Sequence, residues 1–284
     1  MYKSASPSSA VVVGVDGSQW SVNAALWAVD EAVSRDVPLR LLYVVPPRGH
    51  GDIDPEQEAR DLACAEVSIR RTLVAVESAE KPVKIEWEVL QGQPTRVLLN
   101  ATRSADLFCM GSIGIAHATG SRIGSTAAAL ATSALCPVAI VRNGQHWSTH
   151  PRHVVVEIDE SPDSVNVLDA GINEARLRGA PLTVLATWQA NLADVHEHIP
   201  DDKTLARLDK RLTRYRLANP DIEFNAVAVN GSTMNYLERH ADSIQLLVIS
   251  RHRPAGMGEI VGTARAVPNQ VNCSVLICQH SQRL

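Results

Sequence analysis

Leu107-Phe-Cys-Met-Gly111-Ser-Ile-Gly114-Ile-Ala-His-Ala-Thr-Gly-Ser-Arg122-Ile-Gly124-Ser125-Thr126-Ala-Ala-Ala-Leu-Ala-Thr-Ser133 reads as a buried strand, a glycine-rich loop and a helix, in that order. A strand that runs through glycines into a helix start is one unit of an alternating α/β chain. The loop is also a natural anion seat. Glycines let backbone N–H groups come close to phosphate oxygens, and the helix start adds free donors and a partial positive charge. The spacing is Gly111-x2-Gly114-x9-Gly124-Ser125. That is neither the phosphate loop ending in Gly-Lys-Ser/Thr nor the dinucleotide pattern of three close glycines.

Outward from this loop, the chain repeats itself. At an offset of 143 residues Val11-Val12-Val13 falls on Val154-Val155-Val156, and Asp16 on Asp159. Ser18 falls on Ser161, Ser21-Val22-Asn23 on Ser164-Val165-Asn166, Glu31 on Glu174 and Arg35 on Arg178. Later the offset shrinks: Gly92 falls on Gly231 and Cys136 on Cys273, so the second copy has lost residues, some of them near the glycine loop. A period this long means duplicated domains. The reading is one domain over residues 1–146 and a second over 152–284, divided by a polar stretch.

Each copy alternates apolar strand runs with amphipathic helix patterns. In the first, strands are expected at 10–15, 39–45, 83–90, 107–110 and 138–141. In the second they fall near 154–158, 182–187, 223–229, 246–249 and 275–278. The expected fold class is α/β, two tandem doubly wound five-stranded parallel-sheet domains of Rossmann-like type. In such sheets a ligand sits beyond the carboxyl ends of the strands where their order reverses. That brings the turn Asp16-Gly17-Ser18 to face the loop from Gly111. Ser18 is the expected N-cap of the helix that follows.

Composition narrows the function classes. A formal charge of −4, without runs of Lys and Arg, argues against binding nucleic acid by phosphate neutralisation. No apolar run approaches a membrane span, and the first residues lack a signal-peptide core, so a cytoplasmic location is expected. The five cysteines, Cys64, Cys109, Cys136, Cys273 and Cys278, form no CxxC pair and read as reduced thiols, most of them buried.

The first copy resembles the universal stress protein family in its tandem, mycobacterial-like form. The resemblance lies in Gly14-Val15-Asp16-Gly17-Ser18, the helix Ala25-Leu26-Trp27-Ala28 and the strand Leu41-Leu42-Tyr43-Val44-Val45. It continues in Met110-Gly111-Ser112-x-Gly114, Gly124-Ser125 and the closing Cys136-Pro137-Val138-Ala139-Ile140-Val141. It implies an adenine nucleotide alpha hydrolase-like fold and ATP as ligand, with Mg2+ as its companion. Gly14, Val15 and Asp16 would line the nucleoside end, the backbone of Val44 would meet the adenine edge, and Met110 would be a further ATP-binding position. Gly111, Ser112 and Gly114 would wrap the phosphates. Gly124, Ser125 and Thr126 would cap them, with Arg122 able to add a charge-assisted contact.

The second copy departs from that pattern. Glu157 stands for Gly14, Ser250 for Gly111 and Arg253 for Gly114, while Asp159 and Gly262-Thr263 persist. A degenerate second site is expected. The resemblance implies a stress-response or dormancy regulator without robust catalysis. The nucleotide would act on an unidentified protein partner, a homodimer or an intrachain pseudo-dimer. Two alternatives stand beside it: a slow ATPase or nucleotidyl-transfer enzyme, and an interaction module with vestigial binding. The histidines at 146, 150 and 153 have no Cys or carboxylate cluster beside them and read as chance, as do His196 and His198 with Asp194 and Glu197. The basic residues Arg207, Lys210, Arg211, Arg214 and Arg216 read as a solvated helix face.

Overall fold

The computed structural model describes residues 9–47, 55–113, 123–142, 152–188, 202–253, 256–258 and 273–279. The chain divides into two compact units, between residues 144 and 145.

In the first unit the strands are β1 (Val11–Val15), β2 (Leu39–Val45), β3 (Ile85–Gln91), β4 (Leu107–Gly111) and β5 (Val138–Val141). They are joined through α1 (Gln19–Arg35), α2 (Pro55–Glu77), α3 (Pro94–Ala101) and α4 (Ser125–Ser133). Every pairing is parallel and the spatial order is β3-β2-β1-β4-β5. The order therefore reverses between β1 and β4, where Gly14 pairs with Met110. The inner strands are β-branched and apolar because both faces are covered: Val11, Val12, Val13, Leu107, Phe108 and Cys109 are all buried.

Local sequence explains the helix ends. Asp16 Oδ1 accepts the Ser18 amide at 3.0 Å, an Asx turn helped by Gly17 at φ +85°. Ser18 Oγ then accepts the Ser21 amide at 3.1 Å and caps α1. α1 ends at Asp36 in the left-handed region, as its counterpart in the second unit ends at Gly179. α2 buries only Ala65, Ile69, Thr72 and Val76, a single narrow stripe at heptad-like spacing.

The second unit has β6 (His153–Ile158), α5 (Asp163–Arg178), β7 (Leu182–Trp188), α6 (Asp202–Ala218) and β8 (Phe224–Asn230). α7 (Thr233–Arg239), β9 (Ile244–Ser250) and β10 (Ser274–Cys278) complete it. Its parallel strands run β8-β7-β6-β9-β10, the same order as the first unit. Both units thus have the doubly wound topology the alternation of patterns specifies.

An ion pair on a buried glutamate is repeated between them: Glu31 with Arg35 in α1, and Glu174 with Arg178 in α5. Four of the five cysteines are buried and Cys64 is exposed; none is in a disulfide. Burial pushes the thiols of Cys136 and Cys278 up to about 12. Among the described residues no helix is long and apolar enough to cross a membrane.

Candidate functional site

The first unit holds a cavity of about 400 Å³ at the carboxyl ends of β1, β2 and β4, at the point where strand order reverses. Gly14, Val15 and Asp16 come to it from β1 and its turn, Val44 from β2, and Met110 and Gly111 from β4. Gly124, Ser125 and Thr126 come from the start of α4. Nine of the positions singled out in sequence are therefore brought together. Gly114 and Arg122, and His117 between them, lie outside the described residues.

Two of these positions have structural duties of their own. Ser112 does not line the cavity. It is buried, its amide donates to the Val141 carbonyl at 3.0 Å, and its own carbonyl accepts the Gly124 amide at 2.9 Å. Its backbone fastens the loop ends. Gly111 is a glycine for a packing reason. A Cβ there would stand 2.7 Å from Trp20 Cβ and 2.8 Å from the Trp20 carbonyl carbon, so the first turn of α1 occupies the space. Gly14 is less constrained: a Cβ there would meet Leu98 and Phe108 at an ordinary 3.6 Å.

The polar chemistry of the cavity is concentrated at α4. Gly124 is its N-cap residue, and no side chain caps the helix. The amides of the first turn thus open beside the hydroxyls of Ser125 and Thr126. Asp16 is the one charged side chain among the described lining residues. The opposite wall, Leu42, Pro46, Pro94 and Leu98, is apolar. Sequence reasoning missed that wall. Pro94 and Leu98 are set by α3, whose Pro near its start was the available signal.

In the second unit the equivalent strand ends look different. Glu157, in the place of Gly14, and Arg253, in the place of Gly114, pair with each other. Arg253 Nη2 reaches Glu157 Oε1 at 3.0 Å and Oε2 at 2.9 Å, its Nε reaches Oε1 at 3.2 Å, and both side chains are buried. Arg253 Nη1 also donates to the Gly256 carbonyl at 3.1 Å, and Gly256 turns the chain at φ +69°. The two departures seen separately in sequence are one structural unit.

Ser250 is likewise buried, its hydroxyl accepting the His252 amide at 3.1 Å. Asp159 repeats the Asp16 turn by accepting the Ser161 amide at 2.9 Å. Burial opposes its charged form, but the Ser161 and Ser164 hydroxyls and the Ser161 amide hold the carboxyl below its usual range. Gly262 and Thr263 lie outside the described residues, as do the histidines at 146, 150, 196 and 198. His153 is described, and its Nδ1 lies 3.1 Å from Thr183 Oγ1.

Comparison with known proteins bears on both units. The profile of the universal stress protein family matches residues 8–142 and again 150–279. Universal stress protein Rv2028c of Mycobacterium tuberculosis is 41% identical over 269 residues, covering 94% of this chain and 95% of that one. Universal stress protein Rv2624c of the same organism is 36% identical over the same shares. Among solved structures, a universal stress protein from Archaeoglobus fulgidus aligns with a TM-score of 0.71, covering 95% of this chain and 96% of that chain. At 15% identity that likeness concerns the fold alone.

Proposed function

The chain belongs to the universal stress protein family, and from that premise we propose that it is a cytoplasmic ATP-binding regulator of stress response or dormancy. ATP occupies the first unit and biases association with a protein partner or a second copy of the chain. The observation that carries the reading is the uncapped start of α4 opening into a cavity at the strand-order reversal. The α4 amides, with Gly111, Gly124, Ser125 and Thr126, take the phosphates; Gly114 and Arg122 belong to the same loop. Asp16 faces the ribose with Gly14 and Val15, and the Val44 backbone meets the base beside Met110. The apolar wall from Leu42 to Leu98 suits a flat base. Mg2+ would travel with the phosphates, supplying counter-charge.

ATP acts here as a ligand. Phosphoryl transfer needs positioned charge around the phosphates, and Asp16 is the one charged group among the described lining residues. A ligand shifts an equilibrium only through different affinity for its two states. The regulatory reading therefore requires that ATP change the association state.

Titration calorimetry on the full chain tests this. The expected result is one ATP per chain. Ser125→Asp keeps a good first-turn residue for the helix but sets a negative charge at the phosphate seat, so binding should weaken at least ~10-fold. Two equivalent sites, or no ATP binding, would overturn the nucleotide assignment. Light scattering that shows the same mass and partner capture with and without ATP would overturn the regulatory one.

A further inference from the structure

α3 presents a different face to each of two hollows. Pro94 and Leu98, four residues apart, line the cavity of the first unit. Arg96, Leu99 and Arg103, at i, i+3 and i+7, line a separate open groove of about 540 Å³, with Asn100, Ser133 and Leu135. The groove lies between α3 and the end of α4. Buried Thr102 fastens its walls: its Oγ1 donates to the Leu99 carbonyl at 2.7 Å and accepts the Leu135 amide at 3.0 Å.

The charge of this groove is one-sided. Arg96 and Arg103 are both exposed, and among the described residues no carboxylate lines the groove or pairs with either of them. Elsewhere surface arginines are paired within the chain: Arg60 with Glu56, Arg176 with Asp221 and Arg216 with Asp209. The chain as a whole carries −4, so the groove reverses the sign of the molecule. Leu135 shares it and is 55% exposed. A lone surface leucine is ordinary, but one set beside two open guanidinium forks is an apolar anchor point next to charge.

The duplicated unit supplies a control. At an offset of 139 residues Gly92 falls on Gly231 and buried Leu98 on buried Leu237, so the frame of the helix is kept. Arg96 falls on Asn235, Leu99 on Glu238 and Arg103 on Asp242. The same frame accepts the opposite charge, and the fold therefore does not require the arginines.

We propose that the α3 groove is a docking site for an acidic segment of a protein partner, with two carboxylates for Arg96 and Arg103 and an apolar side chain between them to cover Leu99 and Leu135. The arginines take the carboxylates as forked, charge-assisted pairs, and the leucines supply apolar area to bury. The arginines lie about two helical turns apart, ~10 Å along the axis. An extended segment crosses that distance in about three residues. The proposal names the partner surface of the regulatory reading and rests on that reading, but it does not rest on ATP binding.

The test is selection of a random phage-displayed peptide library on the full chain without ATP, followed by fluorescence polarisation of the enriched peptides. These should carry two Asp or Glu about three residues apart around an apolar residue. Arg96→Glu with Arg103→Glu should weaken their binding at least ~10-fold, and Leu135→Ser should weaken it as well. If the double charge reversal does not fold, Arg96→Gln with Arg103→Gln is read in its place. Arg70→Glu with Lys210→Glu, at exposed positions of α2 and α6, makes the same change in net charge and should leave binding unchanged. Affinity should fall as salt rises. Ser125→Asp should leave peptide binding unchanged, so failure of the ATP assignment and failure of this one are separable; the regulatory reading is judged by the response to ATP, which this selection omits. No enriched peptide, enriched peptides without paired acids, or equal losses in the groove and control variants would overturn the proposal.

Discussion

Gly111 shows how one residue can answer to two demands of which sequence reveals one. Its place between a strand and a glycine loop marks it as part of a phosphate seat. The structure gives it a prior duty, since α1 packs its Trp20 backbone where a side chain would be. The second unit carries the complementary exchange, Ser250 for Gly111 and Asp163 for Trp20, a larger residue opposite a smaller one. Gly111→Ala should therefore destabilise the ligand-free protein by about 1–3 kcal/mol, the usual cost of overpacking. Gly14→Ala, where the new methyl meets only ordinary contacts, should change stability by less than about 0.5 kcal/mol. Urea denaturation of both variants without ligand separates them; equal stabilities would show that Trp20 does not hold the position. The sequence could not reveal this, because Trp20 and Gly111 meet only when α1 lies across the end of β4. Asp16 was more readable. Its turn and the Ser18 cap are local, made within five residues, and local hydrogen bonding is what a single sequence encodes best.

At the scale of elements, the strands were legible because parallel strands covered on both faces are continuous apolar runs. The helices were legible because α1 and α5 carry one apolar face and end at a residue suited to the left-handed region. α6 was read as a solvated basic helix. That is right for Arg216, which pairs with Asp209, and for Arg214, which lies over Tyr215. It is right for Arg207 too, exposed and paired with Glu160, but misses Arg211, half-buried and bound to the Asp159 carbonyl, because which helix face meets the end of β6 is a tertiary fact. The same limit hid the meeting of β6 with the segment after β9, which turns two lost glycines into a buried ion pair. Removing one member of such a pair leaves an uncompensated buried charge and costs about 3–5 kcal/mol. Glu157→Ala and Arg253→Ala should each fall near that range, and the double substitution should cost well under their sum. Chemical denaturation of the three variants gives the coupling directly. Strictly additive losses would mean that the two groups do not stabilise each other.

For the whole molecule, duplication supplies a control within one chain: two units with the same strand order, the same Asp turn and the same buried glutamate paired with an arginine in the first helix. The recurring offset made that architecture readable, since one fold encoded twice leaves matching residues at matching intervals. What duplication does not preserve is the site, and there the two units part. If ATP binds the first unit alone, its stabilisation must be confined to it. A ligand held at 100 times its dissociation constant adds about 2.7 kcal/mol to whatever must unfold to release it. Amide hydrogen exchange followed by mass spectrometry, with and without saturating ATP, reads this by segment. Slower exchange is expected in β1 and the turn after it, at the end of β2, and in β4 and α4. β6, β7 and β9 should exchange at unchanged rates, because Glu157 and Arg253 pair where the first unit has Gly14 and Gly114. Equal protection in both units would mean that the ion pair does not exclude the nucleotide, and the asymmetry proposed for the chain would be lost.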